Sequence, residues 1–130
     1  MIRAVLATAL LVAGCASVPE CPAGAQAAES DVLYFGTARP GGAVDAAEWS
    51  AFLRDEVTPR FPAGFTAWDA AGQWKSARGT IDHEASHVVS IVHPSDARSD
   101  EAVRAIVAAY KARFAQEAVL RVRADACASY

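Results

Sequence analysis

The chain has 130 residues, with 12 lysines and arginines against 15 aspartates and glutamates, a formal net charge of −3. This length supports one small domain with a core of its own. Charges of both signs are mixed along the chain without forming runs, which argues against the basic surface that a nucleic-acid partner needs. The sequence lacks the G-x-S-x-G motif of many serine hydrolases, so a serine nucleophile is poorly supported. It also lacks a Gly-rich phosphate loop, and we expect no cofactor.

The N-terminus has the features of a bacterial secretion signal. Arg3 precedes an apolar run over residues 4–14, which is shorter than the roughly 20 residues needed to cross a bilayer. Residues 12–15 read VAGC, the pattern of a lipobox, where bacterial lipoproteins are cleaved before a cysteine that then carries lipid. We therefore predict a signal peptide over residues 1–14 and lipidation of Cys15. The alternative is an ordinary signal peptide followed by a chance cysteine.

The segment after the signal predicts a tether and a location. Residues 15–30 are mostly small and include prolines, which is typical of a flexible linker rather than a core. Alanine rather than aspartate at position 16 favours the outer membrane of a two-membrane bacterium, with the chain held to the membrane by lipid and facing the periplasm. In that oxidising compartment Cys21 and Cys127 form an even pair that favours a disulfide, with two free thiols as the alternative.

Residues 31–130 predict a single α+β domain that begins with a strand and a helix. Val32 to Phe35 are all apolar, as in a strand buried on both faces. Asp45 and Glu48 have the spacing of a capping box. The helix after them ends near Pro59. Its predicted apolar stripe consists of Trp49, Phe52, Leu53 and Val57.

The stretch from Val57 to Trp74, VTPRFPAGFTAWDAAGQW, combines prolines, glycines and aromatic residues. It predicts a helix exit, a tight turn at residues 62–64 and a second strand folded into a hairpin. The hairpin would turn at residues 69–72, so that Trp68 and Trp74 pair across it.

The rest of the chain predicts a strand, a helix and a strand. Residues 81–93 are rich in β-branched side chains and end at Pro94, which indicates a third strand. Ser99 is the expected N-cap of the second helix. A last strand is expected over residues 118–126. The expected apolar stripe of the second helix consists of Val103, Ile106, Val107, Tyr110 and Phe114.

This order of elements predicts a ferredoxin-like βαββαβ fold, a four-stranded antiparallel sheet with two helices on one face and a bent or hairpinned second strand. The first and last strands would be neighbours, which brings Cys21 close to Cys127. We expect Leu120 and Val122 under the helices. Their neighbours Arg121 and Arg123, together with His87, would then lie on the open face, where a partner protein, a second protomer, a ligand or water covers them.

Four segments resemble a known family. Residues 34–36 (YFG), 56–74 (EVTPRFPAGFTAWDAAGQW), 84–87 (EASH) and 110–122 (YKARFAQEAVLRV) are similar to DUF3574, a family of bacterial secreted or lipid-anchored proteins of unknown function. The resemblance extends over roughly residues 21 to 130. The chain departs from the family pattern at 84–87, which more often reads Glu-Pro-Ser-Lys, and at Ala115, where glycine is usual. The resemblance implies one domain and supplies no catalytic residues.

Residues 83–87, HEASH, match the H-E-x-x-H motif of zinc peptidases. That motif works on a helix, where both histidines lie on one face a turn apart. Here the run continues into β-branched residues, and four residues of strand span about 13 Å. Two ligands about 2.1 Å from one zinc cannot lie that far apart. We therefore expect strand histidines and no bound metal.

The polar residues leave two functional hypotheses open. Glu56 and Arg60 are four residues apart at the end of the first helix. This spacing is typical of a solvated ion pair, and the alternative is an anion-binding site. The leading hypothesis is a non-enzymatic, lipid-anchored periplasmic domain that binds a partner or small ligand, with Arg60, Trp74, Glu84 and Ser86 as candidate ligand-binding residues. The alternative is a small enzyme whose site uses Glu84, Glu56 and Arg60, which requires these side chains to converge on one cavity.

Overall fold

The computed structural model describes residues 20–75 and 77–129, so Cys15 and the predicted signal peptide lie outside the described residues. Within these ranges the chain forms a four-stranded sheet, a short two-stranded ribbon and two helices. The elements in chain order are β1 Gln26–Gly36, β2 Ala38–Arg39, β3 Gly42–Ala43, α1 Ala46–Phe52, β4 Thr66–Lys75, β5 Ile81–His93, α2 Ala97–Phe114 and β6 Leu120–Ala128. A π-helical turn, Leu53–Val57, continues α1.

The sheet has the order β4-β5-β1-β6, and every neighbouring pair is antiparallel. This confirms the predicted ferredoxin-like arrangement, with the first and third strands of the sheet in its centre. The first and last strands are neighbours, and the predicted Cys21–Cys127 disulfide is present, with Cα atoms 5.6 Å apart. The bridge joins residues separated by 106 positions. A loop of this size is worth up to about 4–5 kcal/mol in the chain-entropy model.

The first strand starts earlier and is less buried than predicted. β1 begins at Gln26, because residues 26–30 pair with β6 from Ala128 to Ala124. Backbone pairing does not need large side chains, so the small residues at the end of the expected tether belong to the sheet. The strand is also buried on one face alone, since Tyr34 is exposed between buried neighbours.

The predicted hairpin within residues 65–75 is wrong. β4 is one continuous edge strand whose ten residues pair with β5, from Thr66 with Ser90 to Lys75 with Ile81. The sequence DAAG contains residues typical of a turn, but pairing along the whole of β5 satisfies more backbone groups than a turn in the middle would.

The helix starts are set by aspartates. The predicted capping box of α1 is confirmed, because Asp45 Oδ1 accepts from the Glu48 backbone N–H at 2.8 Å and Glu48 Oε2 accepts from the Asp45 N–H at 3.1 Å. The N-cap of α2 is Asp96 rather than the predicted Ser99. The Asp96 side chain accepts from the Ser99 N–H at 2.7 Å, so α2 begins at Ala97.

The core lies between the helices and one face of the sheet. Aromatic rings fill its centre: Phe35 on β1 has its ring centroid 4.6 Å from that of Tyr110 on α2 and 5.9 Å from that of Phe52 on α1. The predicted stripe of α2 is confirmed, with Val107 partly buried. The buried apolar residues of this core are Leu33, Phe35, Val44, Trp49, Phe52, Val57, Phe61, Val89, Ile91, Val103, Ile106, Tyr110 and Phe114.

The predicted orientation of the last strand is reversed. Arg121 pairs with Leu33 and lies on the face covered by the helices, whereas Leu120 is 60% exposed and Val122 is also exposed on the other face. A change of one residue in strand register exchanges the two faces. Arg121 takes the inner position because Asp31, wholly buried on β1, binds its guanidinium.

Candidate functional site

Glu84 and Ser86 lie on the helix-free face of β5, near the start of that strand. Both line a cavity of about 410 Å³ that Tyr34 and Leu120 bound on the neighbouring strands. Glu84 also lines a second cavity, of about 560 Å³, at the adjoining end of the sheet. Gln116 lines both cavities, so the two spaces meet at the Glu84 side chain. We call this pair of connected spaces the Glu84 cleft.

Because Gly36 has no side chain, the Glu84 side chain can occupy the space beside it. A Cβ atom at position 36 would lie 2.5 Å from Glu84 Oε1, closer than real side chains approach. The carboxylate therefore crosses the end of β1 directly over a glycine. The same Cβ would lie 3.4 Å from Gln116 Oε1, so the oxygens of Glu84 and Gln116 converge on this point.

The residues around the carboxylate are held in place by the end of α2. Tyr110 donates a hydrogen bond to the Gly36 carbonyl at 2.9 Å, and Gln116 Nε2 donates to the Ala38 carbonyl at 2.6 Å. Burial and then the nearby Glu84 carboxylate raise the pKa of Tyr110 to about 12, so its hydroxyl remains a donor across the physiological range. The Gln116 amide oxygen is left facing the cleft.

The Glu84 carboxylate has little compensation from the protein. Its one hydrogen bond among the described residues is a long contact of 3.4 Å from the Ala38 backbone N–H. Within residues 20–75 and 77–129 it forms no salt bridge with a lysine, arginine or histidine, whereas half of the other acidic residues there do. A carboxylate in this setting favours a ligand that brings a positive charge or hydrogen-bond donors.

The other candidate residues do not join Glu84. Arg60 Nη1 contacts Glu56 Oε2 at 2.8 Å, and Arg60 lines a different cavity, of about 280 Å³, together with Val92 and His93. Glu84 and Val92 are eight residue steps apart on β5, about 26 Å along a strand. The backbone of Trp74 in β4 pairs with Asp82 in β5, but the Trp74 side chain is outside the described part of the chain.

A network of charges that sequence reasoning missed lies on the helix side of the sheet. Arg121 donates two hydrogen bonds to the Asp31 carboxylate, at 2.6 and 2.7 Å, and contacts Asp100 on α2 at 2.8 Å. His93 Nε2 lies 2.8 Å from the same Asp31 carboxylate. Arg123 bridges Asp100 to Glu29. The network fastens the start of α2 to β1, β5 and β6.

The electrostatics of this network are those of a structural ion cluster. Burial by itself raises the pKa of Asp31, but hydrogen bonds from Arg121 and His93 outweigh it and hold the pKa below its usual range. The hydrogen bonds that Arg121 donates to Asp31 and Asp100 raise its own pKa further. Glu29, Asp31 and His93 lie within 4.8 Å of one another, a spacing suited to a metal ion, but the arginines already neutralise both carboxylates.

The HEASH residues lie on β5, so the predicted strand conformation is confirmed. His87 is on the helix side of the sheet, not on the open face where we expected it. Its ring stacks on Trp49 with centroids 4.4 Å apart, and its Nδ1 lies 2.7 Å from Asp69. Its stacking on Trp49 accounts for the position of His87 without a metal. That HEASH binds no zinc stays a prediction, and it rests on strand geometry.

In the described part of the chain, neither helix is long and apolar enough to cross a bilayer. No curated protein matches the sequence. Among solved structures, a phage SAM lyase is similar both in complex with S-methyl-5'-thioadenosine and in its apo state, each at 15% identity and a TM-score of 0.57, over 88% of this chain and 97% of that chain. At this identity the likeness shows the fold alone.

A hydantoinase/carbamoylase family amidase from Burkholderia ambifaria is 23% identical over 79% of this chain and 28% of that chain, and its TM-score of 0.35 supports no conclusion. The match that identifies the chain is to a family model. DUF3574, a protein family of unknown function, matches residues 30–130. The resemblance in the four sequence segments is thereby confirmed, and the chain belongs to the DUF3574 family.

Proposed function

We propose that the chain is a lipid-anchored, periplasmic binding domain without catalytic activity, and that it binds a small organic cation in the Glu84 cleft. The observation that carries this proposal is the Glu84 carboxylate, which lies between two cavities with no cationic partner among the described residues. The cavity volumes of about 410 and 560 Å³ fall within the range of small-molecule sites.

The cleft offers groups suited to such a ligand. Its charge comes from Glu84, its hydrogen-bonding groups include Ser86 and Gln116, and its apolar wall comes from Tyr34 and Leu120. A primary ammonium would form charge-assisted hydrogen bonds with the carboxylate, and these are about twice as strong as neutral ones. The body of the ligand would then lie against the Tyr34 ring.

The predicted lipid at Cys15 would hold this cleft near a membrane, with the outer membrane the expected location. The disulfide ties Cys21 to the end of β6, so six residue steps separate the lipidated cysteine from the folded domain. A chain of that length reaches at most about 20 Å. The domain would therefore remain close to the bilayer surface rather than extend far into the periplasm.

The alternative enzyme is weaker on geometric grounds. It requires Glu56 and Arg60 beside Glu84, but those two side chains pair with each other near the opposite end of β5. His83 and Ser86 line the cleft beside Glu84, but among the described residues no hydrogen bond or salt bridge joins either side chain to its carboxylate, so the linked acid, base or nucleophile that a reaction needs is not assembled there. Binding of a small cation requires only the carboxylate charge and the cavity.

Nuclear magnetic resonance titration of the ¹⁵N-labelled chain over residues 16–130, which contains every described element and the disulfide, tests the proposal. Tyramine is the probe and tyrosol, in which a hydroxyl replaces the ammonium, is its matched neutral control. We expect tyramine to shift the amide signals of Gly36, Glu84, Ser86 and Gln116, and tyrosol to shift them much less. Equal shifts with both compounds, or shifts elsewhere on the domain, would refute a cation site at Glu84.

A further inference from the structure

The face of the sheet that the helices leave uncovered is apolar. Five of its side chains are large, apolar and between 40% and 60% exposed. They occupy all four strands and surround Val88, which is buried by its neighbours. We call this surface the open face. Its exposed apolar side chains are Tyr34, Trp68, Val92, Leu120 and Val122.

Strand register shows that these residues form one continuous surface. Trp68, Val88, Tyr34 and Leu120 are successive partners across the sheet, and so are Thr66, Ser90, Val32 and Val122. These two rows of residues across the sheet contain no lysine, arginine, aspartate or glutamate; we call them the central rows. The acidic residues Asp82 and Glu84 come at one end of β5 alone.

This distribution is the reverse of that on an ordinary solvated sheet. An antiparallel sheet with one face in water normally carries polar residues there and apolar residues against its core. Here the arginines of β6 lie on the helix side and the apolar residues of the same strand face outward. Contiguous apolar patches of this kind mark interaction sites.

We infer that the open face is a self-association surface, and that its occupant is the open face of a second copy of this chain. This inference does not depend on the Glu84 ligand, although Tyr34 and Leu120 belong both to the open face and to the wall of the Glu84 cleft. Two such faces can pack together like the layers of a β-sandwich, about 10 Å apart. A two-fold axis between the sheets and perpendicular to the strands joins equivalent surfaces and keeps the acidic ends apart.

The size and charge of the face support this occupant. Four strands about 4.8 Å apart and about six residues long cover roughly 400 Å² of planar area, so a pair of copies buries about 800 Å² or somewhat more. That is below the roughly 1,200 Å² at which stable specific interfaces begin, so the dimer should be weak and transient, and anchoring on one membrane would strengthen it. The absence of basic residues from the central rows disfavours an anionic lipid surface as the occupant.

Sedimentation equilibrium of the chain over residues 16–130, from about 5 μM to 1 mM, tests the inference. We expect reversible dimerisation, weakened at least about tenfold by Val122→Lys, because an ammonium would then take the place of an apolar side chain in the interface. Val122→Thr keeps the β-branched shape and should weaken the dimer several-fold. Ile81→Lys is the matched control, because Ile81 is exposed but outside the open face, and it should leave dimerisation unchanged.

Near-ultraviolet circular dichroism establishes that each variant is folded before it is scored. A wild-type chain that stays monomeric up to 1 mM would overturn the inference. So would an Ile81→Lys variant impaired as much as Val122→Lys. A monomer that binds neutral phosphatidylcholine vesicles, and loses that binding in Val122→Lys, would overturn it in favour of a lipid surface.

Discussion

Replacing Arg121 with alanine should destabilise the domain strongly, even though arginine is a residue type usually found on surfaces. The Arg121 guanidinium donates two hydrogen bonds to Asp31, whose side chain is wholly buried. The substitution would leave that carboxylate inside the protein with His93 as its remaining close partner. Removing one partner of a buried ion pair typically costs about 3–5 kcal/mol, and we expect about 3 kcal/mol because His93 remains.

Leu120→Ala is the matched control, because Leu120 is the preceding residue on the same strand. Its side chain points to the other face and is 60% exposed, so truncation should cost less than about 1 kcal/mol. Urea unfolding at pH 7 measures both variants against the wild type, at concentrations below those at which the chain self-associates. Equal costs, or a larger cost for Leu120→Ala, would refute the orientation of β6 and the role of the Asp31–Arg121 pair.

Three other predictions follow from single residues. Ala115 ends α2 in the left-handed conformation, at φ 53°, so Ala115→Gly should raise the free energy of unfolding by about 0.5–1 kcal/mol, and a decrease would contradict this cap. Because the pKa of Asp31 is lowered in the folded state, its contribution is complete above the unfolded value of about 3.9 and is lost as pH falls through the folded value. Asp31→Asn should therefore flatten the dependence of stability on pH below about 4, and an unchanged slope in urea unfolding would count against the network. Cys15→Ser should abolish metabolic labelling by a fatty-acid analogue, and label that persists would show that Cys15 is not the lipidation site.

The elements that the sequence predicts well are those set by local chemistry. The capping box at Asp45 and Glu48 and the break at Pro94 act within a few residues of themselves, so they are readable without the fold. The pairing of Cys21 with Cys127 was predictable because the strand order brings the two chain ends together. The family pattern has glycine at position 115, and the positive φ of Ala115 supplies the physical reason for that preference.

The orientation of β6 was not predictable from its own residues. Alternation shows that Leu120 and Arg121 face opposite sides, and the rule that apolar residues are buried then selects the wrong side. The information lies on another strand, where Asp31 shares a face with Leu33 and Phe35 and so carries a charge into the interior. The prediction of a hairpin was wrong for a similar reason, because pairing with β5 keeps β4 extended through the residues that are typical of a turn.

The candidate site was predictable in part. Glu84 and Ser86 are two apart on a strand, so the sequence places them on one face. Gly36 and Gln116 join them through tertiary structure, from the end of β1 and the residue that follows the left-handed cap of α2. A glycine at ordinary φ gives no local signal of its role, which here is to leave space for a side chain from the neighbouring strand.

The affinity of tyramine for Glu84→Gln, compared with Glu56→Gln, tests the proposed binding site most directly. Both substitutions replace a partly buried glutamate by its neutral isostere, but Glu56 is paired with Arg60 away from the cleft. We predict that Glu84→Gln weakens tyramine binding about tenfold or more, since a charged hydrogen bond is worth about 1.5–3 kcal/mol, and that Glu56→Gln leaves it unchanged. Undiminished binding by Glu84→Gln, or an equal loss in both variants, would contradict the proposal that Glu84 holds the ligand.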